Sequence, residues 1–231
     1  MKTLGLIGGM SWESTAEYYR LLNTLTRSRL GGLHSARLVL HSVDFAEIER
    51  LQVEGRWDEA GAVLADAARS LEAAGAELLL ICTNTMHKVA DQVQAATSVP
   101  LLHLADATAE AVRAAGVRRV GLLGTAFTME QDFYRGRLAS GGLDVLVPQA
   151  DSRALVHRII YEELCVGLVR EESRASYRRV IDELVAAGAE GIVLGCTEIE
   201  LLIRPEDSPV PVFPTTRLHA EAAIDAALAG H

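Results

Sequence analysis

Three cysteines stand in the 231 residues, at 82, 165 and 196, and two of them close apolar runs: ELLLIC continues into Thr83, Asn84 and Thr85, and GIVLGC into Thr197 and Glu198. A sulfur at the end of a buried strand, followed by hydroxyls, an amide or a carboxylate, suits proton abstraction or nucleophilic attack, because the thiolate is the reactive form and its polar neighbours govern its charge. The odd count, with no CxxC and no Cys/His cluster, fits neither a disulfide framework nor a zinc site. Residues 73–85, AAGAELLLICTNT, lie over residues 186–198, AAGAEGIVLGCTE, without a gap. In that alignment Cys82 falls opposite Gly195, and Thr83 falls opposite Cys196. Neighbouring strand positions point to opposite faces, so if Cys196 faces a site, Thr83 faces it too and Cys82 turns into the core. The spacing therefore selects Thr83 and Cys196 as the working pair and leaves Cys82 and Cys165 as small hydrophobes.

The flanks refine this reading. Cys196 is expected near the N-terminus of a short helix whose dipole favours thiolate. Asn84 and Thr85 suit either the cap of a helix starting near Thr85 or the capture of a carboxylate. His87 and Lys88, one turn on, are expected at the surface or behind the site.

Apolar runs at 3–9, 37–43, 77–82, 100–102, 119–123, 144–147, 191–195 and 210–213 alternate with helical periodicity, notably at 12–30, 57–74, 105–115, 130–139, 171–187 and 216–229. That alternation predicts an α/β fold with mainly parallel sheet flanked by helices. A second matched pair, TLGLIGG at 3–9 and RVGLLGT at 119–125, precedes the first pair in the same order. Two copies of one unit follow, each presenting the C-terminal ends of its strands, where open α/β sheets bind ligands. Gly75 and Gly188 are the expected left-handed helix caps.

The turn GLIGGMSWES is neither GxGxxG nor a P-loop, and Asp44 lies beyond the spacing of a ribose-binding acid, which rejects a dinucleotide site. Its glycines instead let backbone and the Met10 and Ser11 side chains approach a small ligand. Glu47, Arg50 and Gln52 fall in a helical stretch and face solvent by default, while Thr125 and Thr128 suit a helix cap.

The formal charge of −9 argues against a nucleic-acid partner. Hydrophobic residues at 49% and charged ones at 23% come with no apolar run of membrane-spanning length and no secretory leader pattern. A soluble, cytoplasmic protein without membrane contact is the expectation. There is no HExxH and no acidic cluster at ligand spacing, so no metal is expected.

CTNTMH at 82–87 and GCTE at 195–198, with LGLIGGM near the start and LLGTAFTM from Leu122, resemble the aspartate/glutamate racemase family over essentially the whole chain. The GCTE form is similar to the aspartate racemase branch and to its broad-type amino-acid racemases. The resemblance implies two similar α/β lobes, 1–98 with 212–231 and 99–211, related by a pseudo-twofold with the active site between them, and a homodimer. It implies no cofactor: two residues, usually both cysteines, act on opposite sides of the α-carbon of an amino-acid substrate, here aspartate or glutamate. The family's first motif begins C-N-T, and the matching residues are Thr83, Asn84 and Thr85, so threonine stands where a cysteine is usual. Thiols ionise near pH 8.5 and aliphatic hydroxyls far higher, so the resemblance implies Cys196 as main base and unequal handling of the two enantiomers. Asn84, Thr85 and Thr197 map onto positions that hold the amino and carboxylate groups, and Glu198, Met10, Ser11, Gln52 and Thr128 onto other substrate-lining positions. A single-cysteine decarboxylase similar to arylmalonate decarboxylases, and an idle amino-acid-binding protein, remain the alternatives.

Overall fold

A computed structural model of the protein describes residues 1–229. The chain divides into two compact α/β units, residues 1–104 with the segment from His219 onward, and residues 105–218. The first contains β1 (Leu4–Gly8), α1 (Trp12–Leu30), β2 (Leu38–Ser42), α2 (Phe45–Val53), α3 (Trp57–Ala73), β3 (Leu78–Ile81), a 3-10 turn (Thr85–Val89) and α4 (Ala90–Ala95). Helix α5 (Leu104–Ala114) carries the chain into the second unit. There follow β4 (Arg119–Gly124), α6 (Ala126–Glu130), α7 (Asp132–Ser140), β5 (Asp144–Leu146), α8 (Ala150–Glu162), a 3-10 turn (Leu164–Val166), α9 (Glu171–Ala186), β6 (Gly191–Gly195) and α10 (Ile199–Leu202). After another 3-10 turn (Pro205–Asp207) come β7 (Val212–Pro214) and α11 (Thr215–Leu228), whose last turns belong to the first unit.

Both sheets are parallel and share one order. The first runs β2-β1-β3, extended by a parallel bridge from Leu79 to Leu101, and the second runs β5-β4-β6-β7. The sequence repeat reappears in detail at the strand entries. Glu77 N–H donates to the Thr3 carbonyl while its Oε2 accepts from Thr3 N–H at 2.8 Å. Glu190 N–H donates to the Arg119 carbonyl, and its Oε2 accepts from Arg118 N–H at 2.9 Å and Arg119 N–H at 3.1 Å. A glutamate two residues after the glycine that follows the helix thus fixes the neighbouring strand's register in both units.

The period-two pattern sorts the first unit's core into two layers. Leu4, Leu6, Leu78 and Leu80 face α1 and α11, packing with Tyr18, Leu22, Ala220 and Ile224. Ile7, Leu79 and Ile81 face the opposite layer, with Ile48, Leu64, Ala67, Met86 and Val93 from α2, α3 and the segment after β3. In the second unit Val120, Leu122, Ile192 and Val193 are fully buried, as are Tyr134, Val156, Tyr177 and Ile181 from the helices.

The unit boundaries differ from those expected, 98/99 and 211/212. Residues 99–104 stay with the first unit because Pro100 and Leu102 bond to Leu79 as a bridge and not as a strand. Residues 212–218 belong to the second because β7 pairs with β6. The helix expected over 130–139 is α7, Asp132–Ser140, and the short helix α6 precedes it, separated by Gln131 in extended backbone. Among the described residues no helix is long and apolar enough to cross a membrane.

Ile224 of α11 is fully buried against the strands of the first unit. Ile224→Ala should cost about 2–4 kcal/mol, the usual penalty for truncating a buried branched side chain. Urea unfolding followed by circular dichroism reads this, and a loss below about 1 kcal/mol would contradict the placement of α11.

Candidate active site

In the first unit the strand ends gather around the turn after β1. Gly9 takes φ 93°, and a Cβ there would stand 2.2 Å from the Val43 carbonyl oxygen, so only glycine lets this turn pass the end of β2. Gly9 N–H donates to Thr15 Oγ1 at 2.8 Å, and Ser11 caps α1 by accepting from Ser14 N–H at 3.3 Å. The Ser14 hydroxyl then donates to the Cys82 carbonyl at 2.8 Å, tying the start of α1 to the end of β3. Cys82 itself is fully buried among Leu4, Leu6, Leu78 and Leu80, and burial pushes its thiol far above the ordinary range. It is in phase with Leu78 and Leu80, which is why it turns inward.

Thr83, the next residue, is half-buried. Its backbone is held by His87, which is buried behind it, the second of the two places the sequence allowed. Leu104 N–H donates to His87 Nε2 at 3.2 Å, so the ring proton sits on Nδ1 and is donated to the Thr83 carbonyl at 2.8 Å. His219 has the opposite tautomer: Nε2–H donates to the Leu102 carbonyl at 2.9 Å and Nδ1 accepts from the Tyr18 hydroxyl at 2.8 Å. Burial, reinforced by neighbouring His87, pushes His219 down to about 3. Asn84 and Thr85 are buried at the start of the 3-10 turn. Lys88 lies 3.9 Å over the Trp57 ring.

Two of the expected lining residues behave differently from their expectation. Gln52 does not face solvent: it is buried, with Nε2 3.1 Å from Met86 Sδ. Met10 is a core side chain, packed with Ile7 and Ile48 in one layer of the first unit, because the tight turn at Gly9 folds it inward.

In the second unit Cys196 follows β6 directly. Gly195, the partner of Cys82 in the repeat, leaves no room for a side chain: a Cβ there would stand 2.8 Å from the Leu123 carbonyl oxygen and 3.4 Å from the Thr128 methyl. Thr128 is fully buried, its hydroxyl 3.2 Å from that of Thr125, which caps α6. It therefore supports the strand end from beneath. Thr197 Oγ1 accepts from the Thr216 hydroxyl at 2.9 Å, Thr216 N–H donates to Glu200 Oε1 at 2.9 Å, and the Thr215 hydroxyl donates to the Leu194 carbonyl at 2.8 Å. The start of α11 thereby clamps the residues around Cys196.

The Cys196 thiol donates to Glu198 Oε2 at 2.9 Å, and both residues are buried. Burial, then the Glu198 and Cys165 charges, hold the thiol well above its ordinary range. The expected thiolate-favouring dipole is overruled, since α10 has only four residues and a carboxylate stands where a cation would be needed. At rest Cys196 is a neutral thiol.

Sequence reasoning missed His219, Ser14, Thr215 and Thr216, which act across long sequence separations. Among the described residues no group of three or more His, Cys, Asp or Glu side chains is placed to hold a metal ion.

The Asp/Glu/hydantoin racemase family model matches residues 7–223. The chain belongs to that family, which places it among the racemases, a class of isomerase. It is similar to a broad-specificity amino-acid racemase of Bacillus subtilis, 23% identical over 176 residues covering 74% of each protein. Among solved structures it is similar to a candidate Asp/Glu racemase from Yersinia pestis, at 58% identity and TM-score 0.92 over 99% of this chain and all of the other. It is also similar to an aspartate racemase homologue from Pyrococcus horikoshii, at 37% identity and TM-score 0.86 over 98% and 99% of the two chains.

Two outcomes follow. Cys82→Ala should leave catalysis within about twofold of the parent while costing about 1 kcal/mol or more of stability, because a buried sulfur is lost from a close-packed core. A hundredfold fall in activity with an unchanged melt would contradict its inward placement. For His219, the ring is neutral in both folded and unfolded chains above about pH 6.5. As pH falls from there towards about 3, only the unfolded chain takes up the proton, so stability is lost by up to about 1.4 kcal/mol per pH unit from this group. Urea midpoints from pH 7 to pH 4.5 should therefore decline more steeply for the parent than for His219→Gln; equal slopes would contradict the buried neutral ring.

Proposed function

We propose that the protein is a cofactor-independent racemase of acidic amino acids in which Cys196 and Thr83 act on opposite faces of the substrate's α-carbon. The observation that carries this reading is the matched pair of strand ends. Each follows the third strand in a repeated parallel order, each has its preceding residue turned inward or reduced to glycine, and each leaves one proton-exchanging side chain as the next residue. Family membership supports the reaction class. The substrate class draws on the relatives, one described as an aspartate racemase homologue and one as a broad-specificity amino-acid racemase.

In this mechanism the Cα–H bond breaks as sulfur takes the proton, and the electron pair left on carbon spreads into the adjacent carboxylate. Asn84, Thr85 and Thr197, with nearby backbone N–H groups, would hold the amino and carboxylate groups, and their worth lies in stabilising the charge that develops there. Ser11 and Gln52 belong behind that shell, and Met10 and Thr128 support it through packing. The Thr83 hydroxyl delivers a proton to the other face. A hydroxyl donates or relays more readily than it abstracts, so the two directions use unequal bases. The overall equilibrium between mirror images is fixed by thermodynamics, and the inequality appears in the separate exchange rates.

Early-time deuterium incorporation from D2O into each enantiomer of aspartate and glutamate tests this. One enantiomer should exchange about tenfold or more faster than the other, and Cys196→Ser should lower the faster rate by about a hundredfold, the scale of a lost proton-transfer group. Absence of α-proton exchange with either amino acid, or full exchange in Cys196→Ser, would overturn the proposal.

A further inference from the structure

Resting on the racemase reading, we infer that Glu198 is the proton acceptor that charges Cys196, so that the working base is a thiol–carboxylate pair and not a preformed thiolate. The geometry is direct. Cys196 and Glu198 are both buried, and the thiol proton points at Glu198 Oε2 across 2.9 Å. The charges that act on the sulfur, those of Glu198 and Cys165, both oppose its ionisation. Besides Glu198, the titratable groups coupled to it are Cys165 in the turn Leu164–Val166 and Tyr177 of α9, and Tyr177 in turn feels Glu163, which precedes that turn. Glu163 is itself occupied, accepting from the Ser173 hydroxyl at 2.6 Å and standing 3.9 Å from Arg170.

A carboxylate beside a catalytic sulfur has two opposed effects. It repels the thiolate, which suppresses the base, and it offers a place for the thiol proton, which creates one. With substrate bound, the proton moves from Sγ to Glu198 Oε2, leaving thiolate and neutral acid; the thiolate then takes the α-proton and the electron pair stays on the substrate. The S–H bond lost is regained, one proton has passed to Glu198, and charge is conserved. In the reverse direction Glu198 returns its proton to sulfur after Cys196 has protonated the carbanion. The pair holds one negative charge throughout the resting state, which fits a site where a free thiolate beside a carboxylate would carry two.

Glu198→Gln separates the two effects because it keeps shape and hydrogen bonding and removes only the charge. The experiment measures iodoacetamide modification of Cys196 by peptide mapping, and α-deuterium exchange from D2O, on the same preparations of parent, Glu198→Gln and Glu198→Asp. Mapping separates Cys196 from the more accessible Cys165. The inference expects Cys196 alkylation at pH 7.5 to rise about tenfold in Glu198→Gln as the repelling charge goes, while exchange falls about a hundredfold. Glu198→Asp should recover part of the exchange. Exchange that rises together with alkylation would overturn the inference, making Glu198 only a repelling charge. Unchanged exchange in Glu198→Gln, or exchange equally lost in Glu198→Gln and Glu198→Asp, would also overturn it. If the parent exchanges no acidic amino acid at all, the racemase reading fails, and the alkylation ratio still reports separately whether the pair exists.

Discussion

The site depends on where β3 and β6, the third strand of each sheet, stop. A parallel strand buried on both faces offers no free choice of side chain until its last residue, and the alternation of faces then decides which neighbour is released. In the first unit the position turned inward holds the Cys82 sulfur, packed among leucines. In the second it is Gly195, where the Leu123 carbonyl oxygen excludes a Cβ. A shift of one residue in either strand would bury Thr83 or Cys196 and bring an inert atom forward. The register glutamates at 77 and 190, bonded to the entry of the adjacent strand, guard against that shift in both copies.

Around these ends the two units solve the same problem differently. The first fixes the Thr83 carbonyl with a neutral imidazole whose tautomer is set by the Leu104 N–H, and backs it with the buried Tyr18 and His219 pair. The second clamps residues beside Cys196 with hydroxyls from the start of α11. Neutral donors suffice for the first because a threonine needs placement more than charge control. A cysteine needs both, and Glu198 supplies a charge partner within hydrogen-bonding distance.

Most of this fold was legible in the sequence because it repeats: the α/β alternation, the parallel sheets and the phase of Cys82 against Thr83 all follow from periodicity within short windows. The unit boundaries were less legible. Residues 100–102 and 212–214 are both short apolar runs, and only tertiary pairing makes the first a bridge to β3 and the second a full edge strand on β6. Gln52 and Met10 were misjudged for a related reason, since burial on a short helix or tight turn is set by what packs over it. The ionisation of Cys196 was misread because a helix-start argument looks along the chain, whereas the sulfur responds to burial and to a carboxylate two residues on that folds back onto it.

The central claim is that position 83, and not position 82, shares the chemistry with Cys196. Restoring sulfur one residue along tests it most directly: enantiomer-resolved exchange from D2O in the double variant Cys82→Ala, Thr83→Cys. The account predicts that the slower enantiomer's exchange rises until the two rates lie within about threefold, since both faces then carry a thiol. Rates that stay as unequal as in the parent, or that collapse for both enantiomers in a variant that melts normally, would contradict it.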